Sequence, residues 1–517
     1  MTAPDGGRRS FSSRTPNNEN PDGISYRRGF VTRHQVTGWR FLTRRIAAGV
    51  ALHDTRMLVD PLRTQSRAVL VGALVLVTGL VGCFLFSFIR PSGAVGTDSV
   101  LADRESAALY LRLGDQLHPV LNLTSARLIT GAPDNPTMVK SSELDQLARG
   151  NMLGIPGAPE RMVANTTRDA YWTVCDATHG ASATTGVTVI AGEPAVGGAR
   201  AAALAPGHAV LAENDGRTWL LWDGRRSPID LADRAVTDGL GIGDARTPPQ
   251  PIANGLFNAL PEAPPLTSPV IPGAGGPTGV QLPVPVPVGA VVAAYEADNT
   301  LRHYVVLADG LQPISGVLAS ILRNTNSYGL HQPPRLGADD VARIPVARAI
   351  DTFAYPSDPI TLVDTLADPI TCAAWSRPEG AQVDSMTLLS GAALPIQAGQ
   401  RTVELVSAGT PGGPAARVAM PPGTGYFVDS GGALFWVSDT GVRYGIDTGA
   451  GTGGDPSGTN TVAALGLTSA PLPMPWSVLS QFAAGPTLSR ADALLAHDAL
   501  APDSAPARLE IRSLEKP

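Results

Sequence analysis

The sequence predicts an α+β protein: a single transmembrane helix followed by an elongated outer domain of four small α+β repeat modules. Three observations carry that prediction. A run of 22 residues has no charge, the net charge reverses across it, and a Tyr-Asp-Leu-Pro pattern recurs beyond it.

The uncharged run is Ala68 to Ile89. At about 1.5 Å per residue a helix of this length reaches ~33 Å, enough for a hydrocarbon core of about 30 Å. The flanks orient it. Residues 1–67 hold twelve Arg against five acids, whereas the remainder holds 27 basic against 40 acidic residues. Arg56, Arg63 and Arg67 close to the span hold the N-terminus on the cytoplasmic side and leave the large C-terminal part outside. A cleaved signal peptide is the rival, with Ser92-Gly93-Ala94 as its small-residue site. However, the run exceeds an h-region and too many residues precede it.

The arm before the span divides in two. Residues 1–26, rich in Asn, Ser, Pro and Gly, have the composition of a chain without order in isolation. From Thr37 to Leu52 the spacing predicts a helix with Trp39, Leu42, Ile46 and Val50 at steps of three and four. Arg40, Arg44 and Arg45 lie off that stripe. The helix either rests on the membrane surface or docks on a protein partner, because Trp and Arg suit both.

Beyond the span, Tyr110, Asp115, Leu117 and Pro119 return as Tyr304, Asp309, Leu311 and Pro313 at a constant offset of 194. Looser copies centre on Trp219 to Pro228 and on Phe435 to Tyr444. The unit reads as two apolar strands joined by a turn, with Asp115, Asp223, Asp309 or Asp439 then turning the chain into a short helix. Asn122 to Ile129 and Gly316 to Leu322 are two of those helices. Upstream strands fit three copies, at His208–Leu211, Ala290–Ala293 and Gly425–Val428. The module cores fall near 100–130, 206–245, 288–325 and 422–470. Uneven spacing of the four aspartates argues against a regular solenoid and for modules separated by insertions. Pro261 to Pro287 holds nine prolines and predicts an extended crossing. Gly449 to Gly458 reads as an exposed loop, and residues 502–517 as a weakly ordered tail.

Recognisable catalytic chemistry is missing from the sequence. A P-loop needs Gly-Lys-Ser/Thr, and the only two lysines follow Val139 and Glu515. Gly453 to Gly458 is Gly-rich without a lysine. His-Glu-x-x-His and Gly-x-Ser-x-Gly are absent, so no catalytic residue, cofactor or metal is assigned. His118, replaced by Gln312 in the second copy, reads as a structural polar position, and Asp339-Asp340 as solvated acids. The acidic outer part offers no footprint for nucleic acid. Cys83 lies in the span. Cys175 and Cys372 fall outside it, where they pair or stay as two buried thiols.

Several segments resemble one family. They are Gly29 to Phe41 (GFVTRHQVTGWRF), Asp60-Pro61-Leu62-Arg63, Leu117 to Leu123 with Ser125-Ala126-Arg127, Gly154 to Pro159, Trp172 to Cys175, and Cys372 to Trp375. Together they run from about residue 28 to 480 and are similar to EccB, a membrane core component of mycobacterial ESX (type VII) secretion systems. Arg9 to Pro16 resembles the paralogue tied to siderophore-dependent iron uptake. The resemblance implies an inner-membrane complex with the EccC motor ATPase, EccD and EccE. It also implies four modules around a central β-rich domain, a disulfide falling on Cys175 and Cys372, and self-association or cell-wall contact. Family members carry an ATPase label, for which no nucleotide motif is readable here. The expected function is therefore a non-catalytic structural core subunit whose arm docks through Trp39, Arg40, Leu42, Arg44, Arg45 and Ile46.

Overall fold

A computed structural model describes residues 32–53, 61–89, 95–177, 186–243, 247–296, 298–408, 413–448 and 461–500. The opening stretch with Arg9 to Pro16, Ser92 to Ala94, the Gly-rich Gly449 to Gly458 and the tail 502–517 lie outside the described residues. The chain forms two compact units, Met1–Ser92 and Gly93–Pro517.

In the first unit a helix spans Arg33–Leu52, four residues longer at its start than the apolar spacing predicts. The reason is a capping box. The Thr32 hydroxyl accepts from the Gln35 amide at 3.4 Å, and the Gln35 side chain accepts from the Thr32 amide at 2.9 Å. His53, in the left-handed conformation, ends the helix. A second helix spans Pro61–Ile89. Pro61 occupies the first helical position, where its missing N–H costs nothing, so the helix begins ahead of the apolar run. It is the one helix among the described residues long and apolar enough to cross a membrane. The Thr78 hydroxyl within it donates to the Leu74 carbonyl, the pairing a polar group would need in lipid.

The second unit holds four small sheets of one plan. The first joins Val100–Asp103, Leu109–Leu113 and Gln116–Pro119 as an antiparallel meander. The second joins His208–Asn214, Arg217–Trp222 and Arg225–Pro228. The third joins Val291–Tyr295, Leu301–Val306 and Leu311–Ile314. The fourth joins Tyr426–Ser430, Ala433–Val437 and Val442–Gly445. A helix follows each meander: Leu123–Thr130, Arg234–Leu240, Gly316–Thr325 and Thr461–Ala464. A short strand then returns parallel to the first strand in every case.

Two details differ from the sequence reading. The Asp turn leads into a third strand before the helix, because the residues after it pair at once with the preceding strand. The first sheet also has an upstream strand, Val100–Asp103, in addition to the three the sequence suggests. The recurrent aromatic and proline are a cross-strand pair: Tyr110 faces Pro119, Trp219 faces Pro228, and Tyr304 faces Pro313. The nine-residue spacing is thus the length of one hairpin.

The sheets associate in twos through their helical faces. Val236 and Leu240 share a core with Val317, Leu318 and Ile321. Gly239 permits that approach, since a Cβ there would lie 2.5 Å from Ile321 Cγ1 and 2.9 Å from its amide nitrogen. Likewise Ala126, Leu128 and Ile129 share a core with Leu465, Leu467 and Leu488. The second and fourth sheets turn their other faces, through Val210, Trp219, Leu221, Tyr426 and Val428, onto Trp172 and Val174 of a seven-stranded central sheet. Tyr426 stands edge-on to Trp172 at 5.1 Å, and burial pushes its hydroxyl up to about 12. The Pro-rich crossing tucks Leu282, Val284 and Val286 against the outer face of the third sheet.

At the middle of the central sheet, Ala170–Ala177 pairs antiparallel with Ile370–Arg377, setting Trp172 opposite Trp375 and Cys175 opposite Cys372. The two cysteines, both fully buried, are joined by a disulfide across a sequence separation of 197. Cys83 is free. A bridge closing so long a loop stabilises by at most about 5 kcal/mol through the entropy of the unfolded chain. The double substitution Cys175→Ala with Cys372→Ala is expected to lower stability by about 2–5 kcal/mol. Urea unfolding of the full chain, followed by the tryptophans, measures it.

Candidate functional site

The structure sets the predicted docking residues on one helix. At about 100° per residue, Trp39, Leu42 and Ile46 fall within an arc of about 60°. Arg45 lies about 60° beyond one edge of that arc, Arg40 about 100° beyond the other, and Arg44 on the far side of the helix. Trp39 is 67% exposed, and no side chain of the helix is buried. Four Arg and no acid occur between Arg33 and Leu52. The helix therefore presents an apolar stripe between two basic edges.

In the second unit the polar residues weighed for chemistry serve the backbone. His118 Nδ1 lies 2.9 Å from the Asn151 carbonyl. Its counterpart Gln312 donates to the Ile350 carbonyl at 2.6 Å and accepts from the Ala349 and Ile350 amides at 2.8 and 3.0 Å. Each clamps the segment that follows its module. Asp339 pairs with Arg343, and Asp340 accepts from the Gly337 amide at 3.3 Å at the exposed start of a short helix. Lys140 precedes the four-residue helix Ser141–Leu144. Among the described residues, no group of three or more His, Cys, Asp and Glu could hold a metal.

A groove of about 800 Å³ lies where the second and third sheets meet the edge of the central sheet. Sequence reasoning did not find it, since its walls come from segments far apart in the chain. Arg225 organises one side: it pairs with Asp223 at 2.7 Å, stacks on Trp222 at 4.7 Å, and donates to the Phe353 carbonyl at 3.4 Å. His303 lines the other side. Its burial, with Arg323 as the second cause, holds the imidazole below its ordinary value. The Asp-Gly turn of the second sheet closes the floor. Gly224, at φ +70°, comes so near the central sheet that a Cβ would meet the Met386 carbonyl oxygen at 2.2 Å. The lining mixes cations, acids and apolar side chains, and within it the Ser357 hydroxyl donates to the Asp358 carboxylate at 2.7 Å.

A family model described as "Type VII secretion system ESX-1, transport TM domain B" matches residues 28–502. The chain belongs to the EccB family. It is 65% identical over 516 residues to the ESX-3 secretion system ATPase EccB3 of Mycolicibacterium smegmatis, covering 97% of this chain and 98% of that one. It is similar to a solved EccB3 dimer from the ESX-3 core complex, at 60% identity and a TM-score of 0.69, over 77% of this chain and all of the other. It also resembles a chain of an intact ESX-5 inner membrane complex, at 38% identity and a TM-score of 0.73, over 95% of this chain and all of that one. This EccB chain is thus matched across its two helices and its five main sheets.

Two measurements probe the groove. Gly224→Ala is expected to cost about 2 kcal/mol or more, since it adds a clash to the left-handed strain. Gly216→Ala, at the same φ with open space around it, carries only the backbone cost of ~1 kcal/mol. Parallel urea midpoints separate the two. For His303, the folded state binds its proton less readily than the unfolded chain, so stability is full above the ordinary value and falls as pH drops through about 6.5. His303→Gln is expected to flatten that decline, read as urea midpoints from about pH 7 to 5.

Proposed function

We propose that this chain is a non-catalytic structural core subunit of a type VII (ESX) secretion complex in a mycobacterial inner membrane. Its arm lies in the cytoplasm and docks through Trp39, Arg40, Leu42, Arg44, Arg45 and Ile46. Its single span crosses the bilayer, and its large unit joins a periplasmic assembly. Partners of the EccC, EccD and EccE kinds meet the arm and the span. The large unit self-associates and touches the cell wall, and the four small sheets are copies of one module around the central sheet. The identity with ESX-3 relatives supports a system whose exported proteins serve iron acquisition.

The observation that carries the reading is the match along nearly the whole chain to a subunit of an intact ESX-5 inner membrane complex. The residues agree with it. A basic-edged apolar helix, a spanning helix and a disulfide-bonded unit make one chain with contacts at several levels. Several weak contacts on one such chain add through effective concentration. The second reading, ATP hydrolysis, has the designation of the relatives in its favour. Against it, neither Lys140 nor Lys516 follows a glycine, and a periplasm without free ATP supplies no substrate.

Deleting residues 1–50 is expected to release the chain from its membrane partners while leaving the large unit folded. Co-purification from detergent-solubilised membranes, with protease resistance of the large unit as the folding control, reads both. Retention of every partner by the truncated chain would remove the arm from the docking role.

A further inference from the structure

The outer face of the third sheet already holds one extended chain, the proline-rich crossing. From Leu282 to Val288 every second residue of it is proline. Leu282, Val284 and Val286 share the small core of that face with Tyr304, Tyr328 and Val341. Among the described residues, the amides of those three crossing residues make no hydrogen bond. The face therefore grips an extended chain by side-chain burial alone, as grooves that recognise polyproline II segments do. Hydrogen bonds fix the crossing at its ends, where the Gly279 and Gly289 amides donate to the Ala308 and Val306 carbonyls, both at 2.8 Å.

Those two carbonyls lie at one end of the sheet. At the other end, where Val291–Tyr295 turns back into Leu301–Val306, the face opens into a cleft of about 460 Å³. Ala294 and Tyr304 form one wall, and Ala338, Val341 and Ala342 of the short helix Ala338–Arg343 form the opposite one. Tyr304 and Val341 thus line the cleft and also contact the core that the crossing fills. No residue of the crossing lines the cleft itself. The small side chains of the helix leave room for a chain to lie against Tyr304. The mouth is acidic, with Glu296 and Asp298. Glu296 is paired with Arg302 at 2.6 Å, while the exposed Asp298 accepts from the Thr300 hydroxyl and amide at 2.6 and 3.0 Å. Those bonds hold the Asp298 carboxyl below its ordinary value and keep it charged.

We infer that this cleft binds an extended, proline-rich segment of another protein, seated against Tyr304 and Val341 and ending in a basic residue at Asp298. The crossing shows the chemistry that this face accepts: apolar side chains at alternate positions, with prolines between them that need no acceptor. A proline-rich segment is extended before it binds, so it gives up little entropy in the cleft. The assignment goes beyond the scaffold role and does not depend on it.

The test uses the full-length chain in detergent and a fluorescein-labelled peptide, Leu-Pro-Val-Pro-Val-Pro-Arg, read by anisotropy. Saturable binding is expected, about tenfold weaker for a peptide with alanine in place of each proline. Ala342→Trp, which fills the cleft from an exposed position, and Asp298→Lys are each expected to weaken binding about tenfold. Both positions are exposed, and unchanged urea midpoints confirm that the variants fold. Absence of binding, or binding that neither folded variant alters, overturns the inference. Two other occupants give results of their own. If Ala342→Trp lowers self-association in sedimentation, a second copy fills the cleft. If deleting residues 502–517 strengthens peptide binding about tenfold, the chain's own tail fills it. Either result overturns the assignment to another protein.

Discussion

The pairing of Ala170–Ala177 with Ile370–Arg377 is the constraint on which the large unit depends. Each strand feeds one face into the core shared with the second and fourth sheets, through Trp172, Val174, Ala373 and Trp375. The opposite face, with Cys175, Ala177, Ile370 and Cys372, fills a smaller core. A one-residue slip would exchange both sets, so the register is fixed by two cores at once. The disulfide lies on the smaller face and ties the same register covalently. Closing a loop of this length is entropically costly, and burying tryptophan on one side and a covalent bond on the other is how the fold offsets it.

The remaining sheets follow from this centre. The second and fourth have apolar residues on both faces because each packs on the central sheet and on a neighbouring module. The first and third use one face for helix pairing, and their other faces carry small, separate cores. Small sheets of this size gain little stability alone. Their stability comes from sharing cores in pairs, which also explains why no module stands apart from the rest.

Much of this was legible in the sequence, and the reasons are local. Tyr110 and Pro119 recur as Tyr304 and Pro313 because a hairpin sets them opposite one another, and a cross-strand pair fixes both residue type and spacing. The span and the arm helix were legible for similar reasons, as runs whose period or apolarity needs no distant partner. The arm's true start depended on Thr32 and Gln35, a signal present in the sequence but outweighed by the apolar spacing. The third strand of each sheet was missed because four residues, with a proline in three of the four cases, give too short a pattern. The groove and Phe353 left no sequence signal at all. The loop that carries the exposed Phe353 is held by Gln312, Arg225 and Ser315, and by the Tyr355 hydroxyl donating to the Thr267 carbonyl, groups that meet only when the chain is folded.

The crossing over the third sheet shows how an outer face can be closed without making it adhesive. Leu282, Val284 and Val286 point inward, while Pro283 and Pro285 point to solvent. Proline has no N–H, so a segment with one at every second position cannot extend a β-ladder, however extended it is. Had the cover been an ordinary strand, its free side would have offered a row of donors and acceptors to the next molecule. Where many such chains are packed side by side, that difference separates ordered contact from fibrous aggregation.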